Sequence, residues 1–220
     1  NTDDIIIYKD DSRIDILDNF LTLRQQKEKN VGTPNIALSD YIAPKNLKLN
    51  DYIGCFCVSA GFGSDELCKK FEEDNDDYSS IMVKALADRL AEAFSEYLHK
   101  EIRTKYWGYS KDEKTSNDDL IKENYIGIRP APGYPACPDH LEKKTIWNLL
   151  SVEKEIGVKL TESLAMWPAA SVSGYYFANP KSKYFGLGKI DKDQVEDYSF
   201  RRGISLKMTS KWLNPNINDV

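Results

Sequence analysis

Arg129-Pro130-Ala131-Pro132-Gly133-Tyr134-Pro135-Ala136-Cys137-Pro138-Asp139-His140 is the stretch that most limits what this chain can be. Its four prolines fix φ and remove backbone donors, so it fits neither a helix interior nor a central strand. It reads as a rigid, ordered loop. In such a frame Arg129 offers a planar fork of donors, Gly133 permits close approach of the backbone and Tyr134 adds a ring, a set suited to a small ligand. A Pro-rich crossing between layers uses the same residue types, and both readings stand on these residues alone.

Outward from the loop, the strongest periodicity lies before it. Met82, Leu86, Leu90, Phe94 and Tyr97 recur at three- and four-residue spacing without internal Gly or Pro, predicting a helix from about Ser79 to Arg103 with these residues as a stripe. Ser116 with Asp119 three residues on resembles a capping box with Asp in place of Glu, opening a short helix through Glu123. A helix from Leu141 to Leu150 follows the loop. Leu160 to Met166, Val172 to Ala178 and Tyr184 to Ile190 read as strands separated by Pro168, Pro180 and glycines. Asp191 then caps a helix through Arg202, and Leu206, Met208, Trp212 and Leu213 mark a last helix ended by Pro215.

On the N-terminal side, Ile5 to Tyr8 is β-branched enough for a strand. Ile14, Leu17, Phe20 and Leu21 predict an amphipathic helix that ends near Asn30. A strand from Tyr52 to Val58, a turn at Gly61-Phe62-Gly63-Ser64 and a helix bearing Leu67, Cys68 and Phe71 complete this part. No repeat or linker splits the pattern, so residues 1–220 read as one domain.

Composition sets the outer bounds. A chain of 220 residues with 41% hydrophobic and 11% aromatic content has ample material for a core. It has no run of eighteen apolar residues and no basic-then-apolar start, so the expectation is a cytoplasmic protein away from membranes. A net charge of -5 argues against general nucleic-acid binding. Charge is uneven: residues 64–78 carry seven acidic and two basic groups, whereas residues 181–211 carry eight basic and four acidic ones. Cys55, Cys57, Cys68 and Cys137 form no disulfide or zinc spacing, and with His99 and His140 as the only histidines no metal site is expected.

Several constellations invite chemistry. Asp88 and Glu92, four residues apart on the long helix, project from neighbouring turns and can complement a cation, although Arg89, Glu92 and Glu96 equally decorate a solvated face. Cys137 and His140 suggest a thiolate and base, but no third orienting group accompanies them, and no protein nucleophile is expected. Gly61-Phe62-Gly63 lacks the third glycine of a dinucleotide fingerprint. Tyr184 and Phe185 are aromatic residues whose backbone groups, at a strand edge, can pair with the edge of a heterocycle.

Asp77 through Phe94, Arg129 through His140, Thr161 through Met166, Ser182 through Phe185 and Asp193 through Tyr198 together resemble the C-terminal activation domain of cobalamin-dependent methionine synthase. The resemblance covers nearly the whole chain in order, and Arg129 to Tyr134 matches the family's Arg-x-x-x-Gly-Tyr signature for S-adenosylmethionine. It implies an α+β fold, a C-shaped domain with a twisted antiparallel β-sheet and flanking helices, that binds S-adenosylmethionine in a shallow groove. It further implies a repair role, the reductive methylation of inactive cob(II)alamin to methylcobalamin, carried out on the cobalamin of a partner domain. An electron comes from flavodoxin or an equivalent reductase, and cobalt itself attacks the methyl, so no protein nucleophile is needed and the chain is not expected to act alone.

By the same resemblance, Arg129 and the backbone beside it at Ala131 and Gly133 meet the ligand's polar groups. Tyr134 faces the corrin, Tyr184 and Phe185 contact adenosine, and Asp88, Glu92 and Glu123 line the same region. Asp88 has a second implied role, meeting the histidine released from cobalt. The resemblance further implies a preceding helical segment that contributes one more acidic contact, and the sequence is expected to start after it. The alternative is a noncatalytic docking subunit for a cobalamin domain and its flavoprotein reductase, served by the basic C-terminal region.

Overall fold

The structure, a computed structural model, describes residues 3–218. In chain order it contains β1 (Asp4–Tyr8), β2 (Ile16–Leu21), β3 (Gly54–Ser59), α1 (Ser64–Glu73), α2 (Asp77–Glu101), α3 (Asn117–Ile121), α4 (Glu142–Leu150), α5 (Val152–Ile156), β4 (Lys159–Leu160), β5 (Met166–Trp167), β6 (Ser171–Tyr176), α6 (Lys192–Arg202) and α7 (Leu206–Leu213). This is an α+β fold in which the strands pair two by two, as β1–β2, β3–β6 and β4–β5, among the described residues. The chain forms two compact units, the first comprising Asn1–Gly54, Gly127–Thr145 and Tyr175–Val220 and the second Cys55–Ile126 and Ile146–Gly174.

The first unit opens with an antiparallel hairpin, Asp4 opposite Leu21 and Tyr8 opposite Ile16, with a bulge between Ile7 and Tyr8. The amphipathic helix expected from Ile14 to Asn30 does not form. Asp10 accepts a hydrogen bond from the Ser12 N–H at 2.9 Å and Arg13 takes a left-handed φ of 54°, so the chain reverses and Ile16–Leu21 finds a β-branched partner. Phe20 and Leu21 are buried while Ile14, Ile16 and Leu17 are exposed, so the apparent helical stripe has no common buried face. Leu21 and Leu23 join Leu187, Ile190, Val195, Tyr198 and Leu213 in the core beneath α6 and α7.

Two further expectations in this unit need correction. Tyr184 to Ile190 joins no strand ladder, and Gly188 within it takes a left-handed φ of 77°; its Leu187 N–H donates to the Pro135 carbonyl at 2.8 Å, and Ile190 bridges in parallel to Ile217. Pro135 has no N–H to return the bond, so a regular ladder cannot propagate there. Asp191 stands at the N-cap of α6 without a side-chain capping bond, because its carboxylate accepts from Asn218 Nδ2 instead.

In the second unit α1 packs on α2, and α2 is capped by Asp76, whose carboxylate accepts from Ser79 N at 3.0 Å and Ser79 Oγ at 2.7 Å. The long helix forms where its periodicity predicts, yet it buries Ser80, Ala87, Ala91, Ser95 and His99 rather than its apolar stripe. Met82, Leu86, Leu90, Phe94 and Tyr97 are all exposed. Ala87 and Ala91 lie against Ala60, Ala170 and Val172 beside the β3–β6 pair, where small side chains allow close packing. The Ala60 N–H donates to the Ala170 carbonyl where β3 ends and β6 begins, which sets the two strands antiparallel. The strand expected over Leu160 to Met166 is instead the turn of the two-residue hairpin β4–β5, closed by Thr161 N to Ala165 O at 2.8 Å.

At its C-terminal end α2 widens into a π-helical turn, Ile102–Tyr106, and the buried Arg103 guanidinium is gripped there. Its Nε and Nη2 donate to the two oxygens of Glu113 at 2.8 Å each, and its Cζ lies 3.7 Å from the centre of the Tyr125 ring. This clamp holds the segment that carries α3 and Glu123. The Ser116–Asp119 capping box is present, with the helix ending at Ile121.

Candidate ligand-binding site

The Pro-rich loop is tight and internally bonded. Tyr134 N donates to Ala131 O at 3.2 Å, Cys137 N to Tyr134 O at 2.9 Å and Gly133 N to Cys137 O at 2.7 Å. Gly133 has φ +94°, and a Cβ at this position would lie 2.3 Å from Cε1 of His140. Only glycine lets the loop fold onto the imidazole in this way. Tyr175 N donates to the Pro130 carbonyl at 2.9 Å, tying the start of the loop to the end of β6.

Arg129 and Tyr184 are brought together: the Arg129 N–H donates to the Tyr184 hydroxyl at 3.0 Å. Between them the backbone leaves several polar groups open. Among the described residues the Ala131 N–H has no hydrogen-bond partner, and neither do the N–H and C=O of Phe185. Unpaired backbone groups on accessible segments are what a heterocycle or a carboxylate pairs with. Tyr134, 58% exposed, stands at the loop's apex.

Asp88 and Glu92 are exposed on α2, one turn apart, and Glu123 is exposed just past α3 with a left-handed φ of 55°. All three belong to the second unit, whereas Arg129, Ala131, Gly133, Tyr134, Tyr184 and Phe185 belong to the first.

Two supports of this region were not legible in the sequence. Tyr41, in a 3-10 turn, donates its hydroxyl to Lys183 O at 3.1 Å, accepts from Lys183 N at 3.3 Å and meets the Phe185 ring edge-on at 6.4 Å. It holds the segment that presents Tyr184 and Phe185. No periodicity marks it.

The second support is a buried polar cluster at the loop's far end. Tyr198 donates to Asp139 at 2.6 Å, and Arg202 Nη2 donates to Asp139 at 3.3 Å, to Tyr198 Oη at 2.8 Å and to Glu142, which also accepts from Leu21 N at 3.1 Å. Burial pushes the Glu142 carboxyl up to about 7 against the pull of Arg202, and burial together with the Asp139 charge raises Tyr198.

Cys137 sits in surroundings that disfavour a thiolate. It is fully buried, its thiol pKa is raised by burial and by Glu142 and Asp139, and its sulfur lies 3.9 Å from the Tyr175 hydroxyl. His140 pairs with Lys143, whose Nζ donates to Nδ1 at 3.1 Å, and burial with that neighbouring charge lowers the imidazole pKa. Both residues serve the loop's frame.

A family model described as "Vitamin B12 dependent methionine synthase, activation domain" matches residues 1–203. Among solved structures, a crystal structure of the MetH reactivation domain bound to AdoHcy is similar at 56% sequence identity with a TM-score of 0.96. The similarity covers 99% of this chain and 67% of that one. With the Arg-x-x-x-Gly-Tyr loop at 129–134 in this geometry and the match extending over 203 residues, the chain belongs to the activation-domain family of vitamin B12-dependent methionine synthase.

Proposed function

We propose that this chain binds S-adenosylmethionine and supports the reductive methylation that restores methylcobalamin on a partner cobalamin-binding domain of methionine synthase. The observation that carries the reading is the set of open backbone groups at Ala131 and Phe185, flanking the Arg129–Tyr184 hydrogen bond. These groups fit the ligand's polar ends: the Ala131 N–H and the Arg129 guanidinium suit a carboxylate, and the donor and acceptor of Phe185 suit an adenine edge. The similar domain of known structure binds AdoHcy, which shares both features with the methyl donor.

The donor supplies the methyl, the partner's cobalt the nucleophile, and flavodoxin or an equivalent reductase the electron. What this chain contributes is position. The rigid loop and the Tyr41-held segment fix the ligand without a protein nucleophile, consistent with the buried, un-ionised Cys137. Tyr134 is free to meet the corrin face, while the roles of Asp88, Glu92 and Glu123 toward the cationic methionyl group rest on the family resemblance.

Isothermal calorimetry with S-adenosylmethionine tests this reading. Arg129→Ala is expected to weaken affinity at least tenfold, the equivalent of about 1.4 kcal/mol. Unchanged affinity overturns the assignment of the loop and turns attention to a docking role without ligand.

A further inference from the structure

A second recess in the first unit has none of Arg129, Tyr184 and Phe185 in its walls, although it shares Gly133 and Tyr134 with the loop described above. It encloses about 460 Å³ between the outer side of the Pro-loop and the C-terminal turn, with Tyr134, Pro138, His140, Lys211, Trp212 and Asn216 among its walls. That volume suits a ligand of nucleotide size.

Its walls are rich in donors. The Lys143 ammonium donates to Nδ1 of His140, which places the ring proton on Nε2, and that nitrogen has no protein acceptor among the described residues. The indole N–H of Trp212, the Lys211 ammonium and the Tyr134 hydroxyl likewise have no hydrogen-bond partner among the described residues. The Gly188 carbonyl is already taken by Asn216 Nδ2 at 2.8 Å. Among the described residues no carboxylate lines the recess, and Lys143 adds a second positive charge behind the imidazole.

Flat apolar surface completes the site. Trp212 presents a ring with Lys211 Nζ 5.9 Å from its centre, and His140 is tilted 52° to it with centroids 6.4 Å apart. A planar group can stack on such a platform while its acidic substituent meets the donors.

We propose that this recess is a second binding site, selective for a mononucleotide-sized ligand that joins an aromatic ring to an anionic group. The ring stacks on Trp212 and the anion is held by Lys211 and His140. Both parts are required, since neither the single exposed lysine nor the half-buried indole binds tightly alone.

The test is a titration of the whole chain with adenosine 5′-monophosphate, followed by calorimetry and by the Trp212 indole N–H signal in nitrogen–proton correlation spectra, assigned with Trp212→Phe. Binding is expected to move that signal, adenosine and inorganic phosphate to bind at least tenfold more weakly than the nucleotide, and Lys211→Glu to weaken it at least tenfold. Arg129→Ala is expected to leave nucleotide binding unchanged. No displacement of the signal at about 10 mM nucleotide, or equal binding by Lys211→Glu, overturns the proposal. Loss in Arg129→Ala also overturns it, by placing the nucleotide in the methyl-donor site. Failure of S-adenosylmethionine to bind, with the nucleotide response intact, rejects only the methyl-donor reading.

Discussion

The backbone N–H of Arg129 donates to the side-chain hydroxyl of Tyr184 at 3.0 Å across 55 residues of sequence. A tyrosine that resembles an adenosine contact in the sequence is therefore also the brace of the arginine loop. Tyr184→Phe removes that brace while keeping the ring. We expect a stability loss of about 1 kcal/mol in denaturant titration and a weaker calorimetric affinity for S-adenosylmethionine. Unaltered values for both would mean that the hydroxyl supports neither.

Gly133 and Gly188 both have positive φ, yet they differ in surroundings. A methyl group at 133 meets the His140 ring, whereas nothing lies within 4 Å of the equivalent position at 188. Gly133→Ala is expected to cost about 1–3 kcal/mol beyond the backbone strain common to both. Gly188→Ala is expected to cost only that strain, about 1 kcal/mol. Equal losses in the two variants would contradict the close Gly133–His140 approach.

Glu142 predicts a pH dependence of definite sign. Its folded-state pKa is raised from 4.5 to about 7, so the folded chain keeps a proton that the unfolded chain has released within that window. Stability therefore falls as pH rises from about 4.5 to 7, by at most about 1.4 kcal/mol per pH unit, and is level above it. Glu142→Gln should flatten this slope in denaturation curves collected across the range. Glu113, held below its ordinary range by Arg103 despite its burial, loses its contribution as the solution becomes more acid, outside the same window.

Arg103 is completely buried, and removing it strands Glu113 without its bidentate partner. Arg103→Ala is expected to destabilise by about 3–5 kcal/mol. Arg103→Lys should rescue little, because an ammonium cannot reproduce the planar fork or its stacking on Tyr125. Chemical denaturation of the three proteins checks the order.

Along α2 the ordinary expectation for apolar and small residues is inverted. Leu90, 61% exposed, should tolerate substitution by Gln within about 0.5 kcal/mol. Ala91, 1% exposed, should lose about 1–3 kcal/mol on replacement by Leu through overpacking. The reverse order in thermal denaturation would place the wrong face of the helix inside.

The sequence by itself determined the local features with short-range physical causes. Four prolines and a glycine specified the loop at 129–140, Ser116 capped its helix, and the uninterrupted periodicity of α2 specified its length. The motif within the loop also carried the family. Tertiary structure decided what each face does. The spacing of Ile14, Leu17, Phe20 and Leu21 fits a helix until β1 offers a ladder, and the α2 stripe resembles a core face until Ala60 and Ala170 accept only the alanines opposite it. Tyr41 acts through Lys183, 142 residues away in sequence, and Glu142 through Arg202, 60 residues away. Local propensity carries no record of such pairs, because their free energy arises only when distant segments are desolvated against one another.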